Sequence, residues 1–317
     1  MTSLTATPIG AVVLFVVGVV PAVWATEKLL EGLVGLAWAA HLPTFTVAAV
    51  LSGFEVENVT VGLAAGARGA SAIALGSVFG GAMFLVCVAL GLGAFLYPLR
   101  VSLPRPVLGV LAVAPVLSGL ALLGDPTPRL AGAALLLAFG VLMAVLVSAA
   151  RRHRFLDDDE IEEAAEKHHS WPTALGLTLV GLVVISVGGE LVATGAEQII
   201  VLLGVPAMLM GMVVTPAAVE LEEVIRQAVP TREGHPEVSA GNLVGTMLYF
   251  VLFNLGLIAL LTPVSVDPQV RRLGWPALVI VTWLATAFLA RGRVGRPEGG
   301  VLLAAYGVYV VAHVLAG

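Results

Sequence analysis

Five glutamates stand inside stretches that are otherwise apolar: Glu55 and Glu57 in one, Glu220, Glu222 and Glu223 in another. An ionisable side chain near the centre of a bilayer costs several kcal/mol, with values spanning about 2.5 to 17 for the more expensive cases. Each acid therefore needs a partner. The helices that would carry them hold no set of Arg or Lys residues able to pair with them all, so a bound cation or a proton is the natural partner. Spacing decides which groups act together. Positions two apart on a regular helix face away from each other, whereas positions three apart share a face. Glu55 thus groups with Asn58, and Glu220 with Glu223. Ser52-Gly53 precedes the first group and Thr215-Pro216 the second, places where a spanning helix can break and offer free carbonyl oxygens. Carboxylate, carbonyl and hydroxyl oxygens together suit a hard cation.

The acids belong to a stretch that is written twice. Moved forward by 165 positions, Leu51 to Pro98 lands without a gap on Pro216 to Pro263, with Glu55 on Glu220, Glu57 on Glu222, Gly69 on Gly234, Gly76 on Gly241, Gly80 on Gly245 and Pro98 on Pro263. The Gly-x-x-x-Gly steps serve close helix packing. Ser77 and Asn242 follow the first glycine of each step and could add side-chain oxygens to the same site. A second match, at an offset of 163, sets Ala25-Thr26-Glu27-Lys28-Leu29 beside Gly188-Gly189-Glu190-Leu191. The repeat is then about five helices long. An odd number makes the second copy enter the membrane from the opposite face, an inverted-topology pair.

The composition agrees. Of 317 residues, 59% are hydrophobic and 12% charged, with a mean hydropathy of +1.01, against roughly 25% charged in a soluble domain. The expected fold is all-α and polytopic, with ten spans at approximately 8–38, 43–67, 71–97, 104–123, 129–150, 172–203, 206–229, 237–262, 273–290 and 298–316. The first and sixth exceed the length a perpendicular helix requires, and tilt or bending is expected of them. Residues 1–150 form the first repeat, 151–171 an acidic linker and 172–317 the second repeat. No Lys or Arg precedes the first apolar run, so it reads as a spanning helix and not a cleaved signal.

The linker begins a short solvated helix at Asp157-Asp158-Asp159; a regulatory cation site there with His168 and His169 would lack the spacing of a calcium loop. Lone Cys87 has no disulfide partner in the chain and reads as packing. Glu27 and Glu190 read as helix-end or water-facing carboxylates, and His41, His235 and His313 as interfacial residues. No basic stripe suits nucleic acid. The loops richer in Arg and Lys, including Arg100, Arg105, Arg151, Arg152 and Arg154, mark the cytoplasmic side. Both termini then lie outside, the linker is cytoplasmic, and the setting is a prokaryotic-type cell membrane. The sequence does not indicate an oligomeric state.

Taken together, these residues resemble the alpha-repeats of the calcium/cation antiporter superfamily, which includes the sodium/calcium and the cation/proton exchangers. The first repeat reads LSGFE, keeping Ser52 and Glu55, followed by Gly76-Ser77-Val78-Phe79-Gly80; the second reads PAAVE, keeping Glu220, followed by Gly241-Asn242-Leu243-Val244-Gly245. The resemblance implies a secondary antiporter with Glu55 and Glu220 as metal ligands at the midplane. Ser52, Ser77, Asn242 and Thr215 would be further cation ligands, and Glu57, Asn58, Glu222 and Glu223 additional cation or proton sites. It implies inorganic cations as partners, with Ca2+ carried and H+ or Na+ as counter-ion, and no resident cofactor. It also implies that the first and sixth helices slide against the rest.

Departures bear on coupling. Phe54 and Val219 replace the family's proline before glutamate, Pro216 and Ala217 replace a Thr-Ser pair, and Ser77 replaces an asparagine. Sodium-binding hydroxyls and amides are thinned while acids are added. Two carboxylates in one dry site cannot both ionise cheaply without a cation, so protons are the expected counter-ion. A monovalent Na+/H+ antiporter and a Mg2+ or Mn2+ exchanger on the same fold are the alternatives. More distant are a channel or passive scaffold and an intramembrane metal-dependent enzyme, for which no His-Glu-x-x-His string is present.

Overall fold

The computed structural model describes residues 8–40, 44–52, 56–69, 71–152, 171–202 and 220–316. Its first half runs α1 (Pro8–Ala39), α2 (Thr44–Val47) with a π turn (Ala48–Ser52), α3 (Val56–Ala67) and α4 (Ser71–Phe84). A second π turn (Leu85–Ala89) leads into α5 (Leu90–Leu96), followed by α6 (Arg105–Leu117) and α7 (Arg129–Arg152). The second half runs α8 (Trp171–Leu202), α9 (Leu221–Arg232), α10 (Pro236–Leu248) with a π turn (Tyr249–Asn254), α11 (Leu255–Leu261), α12 (Trp275–Leu289) and α13 (Arg296–Ala316).

The offsets read from sequence recur in the backbone. Shifting by 165 carries α3 onto α9 and α5 onto α11 end for end, and shifting by 163 carries α1 onto α8. Gly69 and Gly234, which share a position in the repeat, both take a left-handed φ, 72° and 91°. Such a conformation is open to glycine at little steric cost. Each ends its helix and turns the chain so that α3 packs on α4, and α9 on α10.

Six helical segments among the described residues are long and apolar enough to cross a membrane: 74–96, 105–122, 129–152, 236–261, 270–289 and 296–315. Large apolar side chains point outward from them, Leu130 at 82% and Val308 at 70% exposure, which places a hydrocarbon solvent around the bundle. α1 and α8 are 32 residues each, roughly 48 Å at 1.5 Å per residue, and they pack mainly on each other. Gly181 makes that approach possible: a Cβ there would meet the Leu29 backbone at 2.9 Å. Buried Ala25, Leu29 and Leu33 join an apolar cluster around α1 that is separate from the main core of Phe79, Met83, Leu90, Met247 and Phe250.

Of the expected second span, residues 44–52 and 56–67 are described. They form α2 with its π turn, and α3. The expected seventh is described only from Glu220 onward, and the linker helix at 157–159 lies outside the described residues. The halves are laced together at their ends. Thr127 N–H donates to Val264 O at 2.9 Å, Val264 N–H to Thr127 Oγ1 at 3.1 Å, and Leu99–Arg100 pairs antiparallel with Arg293–Val294.

Candidate functional site

Glu220 is the N-cap of α9, with φ −87° and ψ 5°, and Glu222 and Glu223 occupy the first turn. A helix N-terminus carries partial positive charge on its unpaired N–H groups, which favours acids there. The Glu220 side chain is 1% exposed. Asn58 of α3, in the other half, donates Nδ2–H to its Oε1 at 2.9 Å. The second oxygen, Oε2, is buried and accepts no hydrogen bond among the described residues. Gly81 of α4 keeps this space clear, since a Cβ there would lie 3.4 Å from Oε1 and 2.9 Å from the Phe250 ring. Asn58 of α3 and Gly81 of α4, both in the first half, thus adjoin one carboxylate of the second. A buried acceptor with an unused oxygen is costly, and a cation or a proton relieves that cost.

One turn further on lies a second polar group. Arg226 donates from Nη2 to Glu222 Oε1 at 2.6 Å and from Nη1 to Glu223 Oε1 at 2.8 Å, and Asn242 of α10 donates Nδ2–H to Glu223 Oε2 at 2.7 Å. All four side chains are buried. The spacings are i, i+4 and i, i+3, which bring the guanidinium fork onto both acids. Below them, the Ser239 hydroxyl donates to Gln227 O at 2.9 Å and the Thr231 hydroxyl to the same oxygen at 3.0 Å, joining α9 to α10.

The expectation that Glu222 and Glu223 lack a basic partner does not hold, because Arg226 on the same helix pairs with both. The signal was legible: an arginine three and four residues after two acids. The first turn joins Glu223 N–H to Glu220 O at 3.0 Å, but the two carboxylates then go to different partners. The Ser77 hydroxyl donates to Ala74 O at 3.0 Å and lies 3.5 Å from where a Cβ on Gly62 of α3 would stand. Gly81 and Phe250 carried no sequence signal for a role at the site.

Gly241 and Gly245 bear out the packing expectation. A Cβ on either would run into the backbone of the other half, at Phe45 and Ala49 respectively. His313, expected at the interface, is 4% exposed, its Nδ1 3.0 Å from Tyr309 O. Glu55 and Thr215 lie outside the described residues, as do His41 and the side chains of Ser52, Glu57, Glu27 and Glu190. Among the described residues no group of three or more His, Cys, Asp or Glu side chains is arranged to hold a metal.

The fold and the site define a class: a multi-pass membrane protein with a buried carboxylate held across its two halves. The family model for the sodium/calcium exchanger protein matches residues 10–148 and 173–315. Inner membrane protein YrbG of Escherichia coli K12 is 24% identical over 309 residues, 95% of each chain. Sodium/calcium exchanger MaX1 of Methanosarcina acetivorans is 26% identical over 111 residues, 35% of this chain and 32% of that one. In fold, the chain is similar to the sodium-calcium exchanger NCX_Mj soaked with 100 mM Na+ and 10 mM Sr2+, with a TM-score of 0.78 at 19% identity over 96% of this chain and 99% of that one. The chain belongs to the sodium/calcium exchanger family and is an integral membrane cation antiporter, not an enzyme.

Proposed function

We propose that the protein exchanges a divalent cation, Ca2+ foremost, for protons through a site made by Glu220 and its repeat counterpart Glu55. The observation that carries this reading is the Glu220 carboxylate. It is buried, braced on one oxygen by Asn58 from the other half, and without a donor on Oε2 among the described residues. Because the 165-residue shift sets Glu55 on Glu220, a second carboxylate in the equivalent place completes a divalent site. Ser52, Thr215, Ser77 and Asn242 are its candidate oxygen donors. Glu222 and Glu223 are held by Arg226, which leaves proton exchange in this reading to Glu220 and to Glu55 and Glu57 of the first repeat.

The odd-numbered five-helix repeat supports an inverted arrangement of 1–150 and 172–317, with the linker 151–171 in the cytoplasm and both termini outside. The close pairing of α1 with α8 and their separate apolar cluster support a layer that slides against the remaining helices to alternate access.

Reconstitution into liposomes tests the reading. With an imposed proton gradient, Ca2+ uptake should proceed without sodium. It should slow as the pH on the loading side is lowered, because protons and the cation compete for the same oxygens. Flux indifferent to pH between about 5.5 and 8.5 but absent without sodium would replace the proton with Na+.

A further inference from the structure

The Arg226 guanidinium has no counterpart in the first half. The 165-residue shift sets Val61 against Arg226 and Asn58 against Glu223, while Glu57 and Glu222 remain matched. At these two positions the second half therefore carries an acid and a base, three residues apart, where the first carries neither. The two are bonded to each other, Nη1 to Glu223 Oε1 at 2.8 Å, and the fork's other arm takes Glu222 at 2.6 Å. Both Glu223 oxygens are occupied, the second by Asn242. Arginine stays charged in proteins at any accessible pH, so no proton exchange can vacate this position. Next to it, Glu220 keeps a buried oxygen with no partner among the described residues. One carboxylate is open to a mobile ion and two are closed by a tethered one.

We propose that Arg226 is a resident cation seated where Glu222 and Glu223 would otherwise hold a mobile one, so that the chain closes its own second cation site and leaves the carried ion to Glu220. This rests on the reading that Glu220 is an ion ligand. The arrangement limits how many ions bind at once, and hence the charge moved per cycle. A guanidinium holding two carboxylates also suits a purely structural ion pair, and ion counting separates the two roles.

Equilibrium dialysis of the purified full chain in detergent against radioactive Ca2+ supplies that count. Arg226→Gln should roughly double the Ca2+ bound per chain, because two buried carboxylates with an amide nearby form a hard-cation site. R226K, which keeps the charge, should bind as the unsubstituted chain does, and adding E222Q and E223Q to R226Q should abolish the gain. A folded R226Q, monodisperse by gel filtration, that binds no additional Ca2+ overturns the proposal. If R226Q cannot be purified, E223Q decides in its place: its Ca2+ count should equal that of the unsubstituted chain, and loss of an ion overturns the proposal. Glu220→Gln provides the separate check on the underlying reading. Full Ca2+ binding by E220Q rejects Glu220 as a ligand, whereas loss of binding in E220Q with no gain in R226Q rejects the resident cation alone.

Discussion

α3 and α9 begin and end at matched positions, Val56–Ala67 and Leu221–Arg232, and each leads through a left-handed glycine into a packed partner helix. Their chemistry differs. α3 offers Asn58, whose amide reaches across to Glu220, while α9 carries Glu223 at that place and Arg226 one turn later. The backbone plan is held by steric demands that permit little substitution: a positive φ at Gly69 and Gly234, and backbone contact at Gly241 and Gly245. Side chains at the site meet a looser demand, that buried charge be neutralised. That demand can be met by an amide on one side and an acid with a base on the other. The halves are matched in these backbone elements and unequal in the polar groups they bring to Glu220.

The largest effect should come from the acids that the repeat treats alike. Glu55→Gln and Glu220→Gln should each reduce Ca2+ flux in liposomes by about a hundredfold or more, since loss even of a group that only supports a metal ligand costs about 10- to 100-fold. Full retention of flux by either variant would break the equivalence of the two glutamates. Next is the feature that only the second half has. Arg226→Leu leaves two buried acids without their base and should destabilise the protein by about 3 to 5 kcal/mol in thermal unfolding in detergent. A midpoint equal to that of the unsubstituted protein would show that the ion pairs contribute nothing to stability.

Asn58→Ala removes the bond that joins the halves at the site. A hydrogen bond to a charged group contributes about 1.5 to 3 kcal/mol, so Ca2+ affinity should weaken by roughly 10- to 100-fold at an unaltered count of bound ions. An unaffected affinity would place the ion away from Asn58. The smallest effect tests the scaffold. Gly69→Ala and Gly234→Ala should each cost about 1 to 2 kcal/mol, because both force a Cβ into a left-handed conformation. A cost at one and none at the other would mean that the matched turns are not mechanically equivalent.

Much of this molecule was legible before any coordinates, and the parts that were share a physical cause. Helix periodicity, the cost of acid in hydrocarbon and the steric need for glycine act along the chain. The 165-residue shift therefore gave the matched helices, and the limits of α1, α7 and α8 lie within two residues of the sequence estimates. Local spacing also contained the link from Arg226 to Glu222 and Glu223. One arginine cannot neutralise five acids, so spacing alone does not say which two it takes. Other features could come only from tertiary structure. That Asn58 meets Glu220 across 162 positions, that Gly81 lies beside the same carboxylate, and that α1 lies against α8 depend on which helix faces which. Residues lining a shared space are set by the packing of whole helices, and no periodicity within a single segment encodes it.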